Sequence, residues 1–266
     1  MAEAPGARQL VLIPSYNTGP LLPETVRAAR AAWAPVWVVI DGSTDGSDAL
    51  LRAAVQDDPE CRLIRLPANG GKGAAVLAGL QEAAAAGFTH ALVMDADGQH
   101  PAAAIGHFMA ASAAAPAALI LGRPVFGPEA PQLRVRGRRI SNWWANLETL
   151  GAGIGDSLFG FRVYPIAPLL RVMRRGGRMR RFDFDPEAAV RLAWAGLPLA
   201  NIPAPVRYLK AEDGGVSHFR YGRDNALLTW MHIRLVLGML LRLPWLIARR
   251  LRRGTPAPPP APVTRP

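Results

Sequence analysis

"LVMDADGQHP", residues 92–101, is the stretch on which the reading of this chain turns. An apolar run ends in two aspartates one residue apart, then in a glycine turn closed by Pro101. On an extended backbone alternate side chains share a side, so a strand here presents Asp95 and Asp97 together at its tip. Two such carboxylates repel each other unless a cation lies between them. Hard oxygen donors suit Mg²⁺ or Mn²⁺, which keep waters and share the phosphates of a substrate. Gln99 offers a third oxygen and His100 a nitrogen donor. The plainer reading makes Asp97 or Gln99 a cap for a helix behind Pro101. Its neighbours in the sequence favour the metal.

Working outward, short apolar runs rich in branched residues alternate with alanine-rich helical stretches, as in βαβ units around a mostly parallel sheet. Strands are predicted over residues 10–13, 36–40, 63–66, 91–94 and 118–121, and helices over 22–33, 47–56, 72–86 and 102–115. Each strand ends in a polar or glycine-rich turn: "PSYN", "DGSTDG", "PANGGKG", "DADGQH" and "GRP". Ligands of open α/β sheets bind beyond the carboxyl ends of the strands, so these five turns are expected to crowd into one cleft. Past residue 122 the alternation stops. A basic loop, "RVRGRR", leads to a predicted helix near 141–150; a second helix is predicted over 186–194 and a short strand near 206–209.

"PANGGKGAAVLAG", residues 67–79, reads as a phosphate loop. Glycines let the backbone approach a ligand, Lys72 brings charge, and a helix N-terminus follows. It fits neither familiar pattern: Gly73 stands where the P-loop needs Ser or Thr, and Val76 breaks the dinucleotide fingerprint. A solvated lysine at a helix start is the plainer alternative. In "RFDFDPEAAVR" a helix start accounts for Asp185 as cap, Pro186 in the first turn and Glu187 facing the dipole. Asp183 is the acid it explains least.

With 266 residues, half of them hydrophobic, the chain can bury one large core. A formal charge of +11 points to an anionic partner without saying which. Cys61, the single cysteine, excludes a disulfide framework and a cysteine-rich zinc site. The first residues lack a signal peptide's apolar stretch, so a cytoplasmic start is expected, and no run reaches the roughly 18 uncharged apolar residues of a membrane-spanning helix. Residues 226–253 mix Leu, Met, Ile and Trp with arginines and are interrupted at Pro244. This pattern suits amphipathic helices lying in a membrane interface, although packing on the domain explains residues 226–235 equally well. Nucleic acid is disfavoured, because the turns are acid-rich. The proline-rich end, 254–266, is expected to be disordered.

In their order, "IPSYN", "VVIDGSTDGS", "NGGKGAA", "MDADGQHP", "FGFRVY" and the late "FDPE" helix resemble the family 2 glycosyltransferases of the GT-A type, in the dolichyl-phosphate mannosyltransferase-like branch. The resemblance covers roughly residues 8–225 and implies an α/β, Rossmann-like nucleotide-diphospho-sugar transferase fold. It implies a mostly parallel central sheet flanked by helices, followed by the C-terminal amphipathic helices. By the same resemblance Pro14, Tyr16, Asn17 and Asp41 hold the nucleoside. Lys72 lies near the diphosphate, and Asp95, Asp97 and Gln99 hold Mg²⁺ or Mn²⁺. Asp156, Ser157 and Arg162 line the sugar or acceptor pocket, and His218 contacts phosphate. Asp95, Asp97, Lys72 and Arg162 would stabilise charge on the departing nucleotide. A hydroxyl acceptor needs a general base for an inverting displacement, offered by Asp183 first, then Asp185 or Glu187; a polyprenyl-phosphate acceptor needs none. Where the family often has two acids before "GS", this chain has Ile40 and Asp41. The expected activity is sugar transfer from a nucleotide-diphospho-sugar donor to a lipid-linked or membrane-embedded acceptor, by a protein peripheral on the inner face of the cell membrane. A nucleotidyltransferase on a similar fold lacks support, because "IPSYNTG" is not a glycine-rich, Arg-containing loop. A non-catalytic nucleotide-sugar binder need not keep Asp95, Asp97 and Gln99 together.

Overall fold

The computed structural model describes residues 7–127, 132–176, 179–207 and 221–253. Five strands and four helices alternate first: β1 (Gln9–Ser15), α1 (Leu21–Ala32), β2 (Val36–Asp41), α2 (Ser47–Val55), β3 (Cys61–Leu66), α3 (Lys72–Ala85), β4 (His90–Val93), α4 (Ile105–Ala114) and β5 (Leu119–Val125). Then come α5 (Gln132–Glu148), β6 (Arg162–Pro165), α6 (Ile166–Gly176), α7 (Phe184–Ala195), β7 (Leu199–Pro205) and α8 (Tyr221–Arg253). The sheet has seven strands in the order β3-β2-β1-β4-β6-β5-β7. Only β6 is antiparallel to its neighbours, β4 and β5.

Alternation along the strands sorts the core into two layers. Leu10, Leu12, Val39 and Val93 face a layer built with α3, α6, α7 and α8, while Val11, Ile13, Val38 and Leu92 face one built with α1 and α4. Buried on both faces, β2 reads as a continuous apolar run, as a central parallel strand must. At the edge, β3 carries Arg62 and Arg65, charges that discourage pairing with another chain.

Three elements depart from expectation. The basic run "RVRGRR" lies within α5 rather than in a loop, since arginine is a good helix former. The last strand among the described residues lies at Leu199–Pro205, and of the span near 206–209 only residues 206 and 207 are described, neither in a strand, the rest lying outside the described residues. The Val206 amide donates to the Val125 carbonyl at 3.1 Å, so Pro205 and Pro203, one and three residues earlier, turn their missing N–H groups outward from this edge. Pro244 sits inside one continuous α8 of 33 residues instead of dividing two helices.

One face of α8 packs on the domain through Met231, Leu235 and Met239, and fully buried Glu187 of α7 bonds Arg191 at 2.7 Å and Arg234 of α8 at 3.1 Å. The other face leaves Trp230, Leu237, Leu241 and Trp245 exposed. By length and composition alone, Gly222–Leu251 is long and apolar enough to cross a membrane.

Candidate active site

The ends of β1, β2 and β4 and the turn after β3 open onto one cleft of about 1310 Å³. Its floor contains Pro14, Tyr16, Asp41, Lys72, Asp95, Asp97 and Gln99, seven residues singled out in the sequence. The fifth turn is elsewhere: Gly122, Arg123 and Pro124 lie within β5, paired with β7, and β6 is wedged between β5 and β4. In its place the far wall comes from α5, the approach to α7, and α8, through Arg138, Ser141, Trp144, Arg181, Asp185 and His232.

At the centre of the floor the Lys72 Nζ bridges Asp95 Oδ1 and Asp185 Oδ2, 2.6 Å from each. Burial opposes the ammonium charge, but Asp185 and Asp95 outweigh it and raise the lysine pKa. Burial likewise disfavours ionised Asp95, yet Lys72 outweighs it and holds that carboxyl below its usual range. Asp97 lacks such a partner. Burial, then the neighbouring Asp95 charge, push it up to about 6. It is a carboxylate short of positive charge at the rim of a cleft, which fits a divalent cation. Among the described residues no three His, Cys, Asp or Glu side chains cluster at metal-binding spacing, so a cation held by Asp95, Asp97 and Gln99 would take its remaining ligands from water and substrate phosphate.

His100 does not serve as a nitrogen ligand through Nδ1, which accepts the Asp95 amide at 2.9 Å and so leaves the proton on Nε2. The ring packs edge-on against Phe159 and Phe161, and burial depresses its pKa to about 4. As pH falls below about 6.5, the unfolded chain takes a proton here before the folded one, so stability is lost through this window. The stability gap between wild type and His100→Gln should therefore narrow by on the order of 2 kcal/mol between pH 7 and pH 5. Asp97 titrates in the opposite sense but is common to both proteins. Urea denaturation at the two pH values measures the gap, and a constant gap would contradict the assignment.

Asp41 binds the lysine turn. Its carboxylate accepts the Gly70 and Gly71 amides at 2.9 and 2.8 Å and Asn69 Nδ2 at 3.1 Å. Close backbone approach also explains the glycines. A Cβ on Gly73 would lie 1.8 Å from the Met179 carbonyl oxygen, and one on Gly71 would lie 2.6 Å from that of Arg180. The turn is thus fixed between Asp41 and the segment entering α7.

Asn17, Asp156, Ser157, Arg162, Asp183 and Glu187, all expected at the site, do not line the cleft. Asn17 ties two turns together, accepting the Thr44 amide at 2.8 Å while its own amide donates to Ser43 Oγ. Asp156 is buried, accepts the Leu158 and Phe159 amides and pairs with Arg138 at 2.7 Å. Asp183 accepts the Arg181 amide at 2.9 Å at the start of α7, and burial raises its pKa. Asp185, two residues on, is the acid that reaches the cleft and Lys72. Arg162 is fully buried in β6, with its N–H groups donating to the carbonyls of Phe159, Asp156, Ser157 and Asp185 and to the Tyr164 hydroxyl. A guanidinium has five donors, and none remains for a departing phosphate. Arg162→Lys should cost about 2 kcal/mol or more in urea denaturation, because an ammonium cannot satisfy this set of acceptors; an unchanged midpoint would contradict it. Ser157 is buried against Ser141 and Asn142. His218 lies outside the described residues.

The wall residues carry only a helical signal in the sequence. Arg138, Ser141 and Trp144 recur every third position along α5, and Leu228, His232 and Val236 every fourth along α8. Such spacing marks one face of a helix, yet it looks the same whether that face meets a core or a cleft.

The model of the family described as "Glycosyl transferase family 2" matches residues 10–175. The chain belongs to this family. Within it, the chain is 32% identical over 205 residues to the polyprenol monophosphomannose synthase of Mycolicibacterium smegmatis, across 75% of this chain and 77% of that protein. This places the family 2 chain in the dolichyl-phosphate mannosyltransferase-like branch. Glucosyl-3-phosphoglycerate synthase from Mycobacterium tuberculosis, solved with Mn²⁺, UDP-glucose and phosphoglyceric acid, shares its fold at a TM-score of 0.62 and 14% identity, over 88% of this chain and 80% of that one. A Pyrobaculum calidifontis mannosyltransferase solved with GDP-mannose and Mn²⁺ aligns with a TM-score of 0.57 and 20% identity, over 95% of this chain and 66% of that one. The sheet and helices are those of a GT-A fold.

Proposed function

We propose that this glycosyltransferase moves a sugar, mannose by analogy with its polyprenol-directed relative, from a nucleotide-diphospho-sugar to a polyprenyl phosphate. The reaction is metal-assisted and inverting, and takes place on the inner face of the cell membrane. The observation that carries the reading is the composition of the cleft: a floor of acids and one lysine continues into a wall of Trp144, Leu158, Leu228, Ile233, Val236 and Leu237. Such a cavity suits a charged donor at one end and an amphiphile at the other.

On this reading Pro14, Tyr16 and Asp41 seat the nucleoside. Lys72 offers its charge to the diphosphate. Asp95, Asp97 and Gln99 would hold Mg²⁺ or Mn²⁺, which when bound offsets the negative charge developing on the leaving diphosphate. The phosphate of the acceptor is already anionic, so Asp183 is not required as a base. The exposed face of α8, Trp230, Leu237, Leu241 and Trp245, docks in the membrane interface. The units follow as a transferase domain over 1–225, a membrane-interface segment over 226–253 and a tail beyond it.

Calorimetry of GDP- and UDP-sugars with and without Mn²⁺ tests the donor half. The expected result is one nucleotide sugar bound more tightly with Mn²⁺ than without, and bound weakly when Asp41→Ala is introduced. No binding of any nucleotide sugar in either condition would sink the reading. Co-sedimentation with anionic vesicles tests docking, and Leu241→Glu should reduce it.

A further inference from the structure

No step above uses Asp185, the second carboxylate on Lys72. Its Oδ2 lies 2.6 Å from the lysine Nζ, and its Oδ1 is buried with no hydrogen-bond partner among the described residues. A buried carboxylate bonded through one oxygen is costly to keep. Its place is nevertheless fixed. Its backbone carbonyl accepts a bond from fully buried Arg162, close enough for the two charges to act on each other. The segment leading to it is pressed against the lysine turn, where a Cβ on Gly71 or Gly73 would meet the carbonyl oxygen of Arg180 or Met179.

The two carboxylates on Lys72 differ in what else can reach them. The Asp95 side chain is 33% exposed and that of Asp185 only 8%. Asp95 belongs to the set that fits Mg²⁺ or Mn²⁺, whereas Asp185 comes from the approach to α7. An ammonium and a divalent cation repel each other on one carboxylate, so once Asp95 serves the cation, Lys72 is left with Asp185. A lysine has three N–H donors. One is free while Lys72 bridges both acids, and two are free when Asp185 alone holds it. The cleft sets Asp41, Asp95, Asp97 and Asp185 against Lys72, Arg138 and Arg181, so a diphosphate meets net attraction only with the divalent cation in place.

We infer that Asp185 is a positioning residue, the fixed anchor that holds Lys72 while its ammonium passes from Asp95 to the donor diphosphate as the metal site fills. The inference rests on the reading above that Lys72 serves the diphosphate. Before loading, Lys72 is shared by Asp95 and Asp185 and offsets the charge of both. After loading, Asp185 keeps the ammonium in the floor of the cleft, with two donors turned to phosphate oxygens, where an unanchored lysine would extend into solvent. Metal and donor are thereby made interdependent, because Lys72 offers its second donor only after Asp95 has turned to the cation.

The test is the affinity of GDP and UDP, measured by calorimetry at saturating Mn²⁺ and without Mn²⁺, in wild type, Asp185→Asn, Lys72→Met and the double variant. For the nucleotide that wild type binds more tightly, Asp185→Asn, which keeps the shape but not the charge, should weaken binding about tenfold at saturating Mn²⁺, the scale of one misplaced charged hydrogen bond. Without Mn²⁺ the loss should be smaller, because Asp95 still holds Lys72. The sign is what discriminates. A carboxylate that merely stood beside the diphosphate would repel it, and removing its charge would tighten binding. In the Lys72→Met background Asp185→Asn should no longer weaken binding, since its effect passes through the lysine. Unchanged or tighter binding by Asp185→Asn at saturating Mn²⁺, equal weakening with and without Mn²⁺, or weakening that persists in the double variant would overturn the inference. If Asp185→Asn does not fold, Asp185→Ser carries the same comparison. Lys72→Met that binds the nucleotide as wild type does would refute the reading of Lys72 as the partner of the diphosphate, and this inference with it; a weakened Lys72→Met beside an unaffected Asp185→Asn would refute the inference alone.

Discussion

Asp97→Ala is expected to lower sugar transfer by about 10³-fold or more, the scale seen when a principal stabiliser of transition-state charge is removed. The protein should remain folded. Burial and the Asp95 charge drive the Asp97 carboxyl up to about 6, so at pH 7.5 the ionised group opposes folding, and its loss should leave the thermal midpoint unchanged or raised. Asp95→Ala should behave differently, because it strips Lys72 of one of two carboxylates held at 2.6 Å and disturbs the fixed centre of the floor. Transfer rate and unfolding midpoint, measured on the same Asp97→Ala preparation, check the prediction. Activity within tenfold of wild type would refute the metal role of Asp97.

Gly73→Ala is expected to be the most damaging single methyl group in the floor. Ordinarily a glycine within a helix becomes more stable as alanine, by about 0.5–1 kcal/mol. Gly73 lies in α3, but its added Cβ would sit 1.8 Å from the backbone oxygen of Met179 and 3.0 Å from Phe184 Cβ. Backbone cannot rotate aside as a long side chain can, so either α3 or the segment entering α7 must shift. A cost of about 3 kcal/mol, at the upper end for overpacking, should result. Donor affinity should fall with it, because Arg181 and Asp185 follow that segment. Gly106→Ala in α4, where nothing lies within 4 Å of the new methyl, is the matched control and should be neutral or stabilising. Urea denaturation of both variants gives the comparison; equal effects would mean that the close approach does not constrain the turn.

That the strand-end residues share one cleft floor was legible because local rules specify it. A strand needs apolar residues, a strand tip presents alternate side chains together, and an Asp-x-Asp after such a strand has few other uses. Lys72 was legible for the same reason. Asp183 and Asp185 show where such rules run out, since both are acids at one helix start and only the entry angle of α7 decides which meets Lys72. Arg162 misled because an arginine between acidic turns resembles a phosphate ligand, whereas the carbonyls that consume its donors are brought together by tertiary structure. The α6 helix was readable in principle. Ile166, Leu169, Leu170 and Met173 follow helical spacing and are buried, and Pro168 lies in the first turn, where proline is tolerated. Trp144 and His232 depend on two helices far apart in sequence crossing above the cleft, which no local pattern records.

The account stands most directly on where the sugar goes. Purified protein would be given nucleotide-diphospho-mannose labelled in the sugar, a short polyprenyl monophosphate and Mn²⁺, with polyprenol and phosphoglycerate as alternative acceptors, and label would be counted in organic and aqueous phases. The predicted result is label in the organic phase with the phosphate lipid alone, abolished by chelator. Label transferred only to the soluble acceptor, or to polyprenol as readily as to its phosphate, would contradict the assignment of the apolar limb and of the reaction it serves.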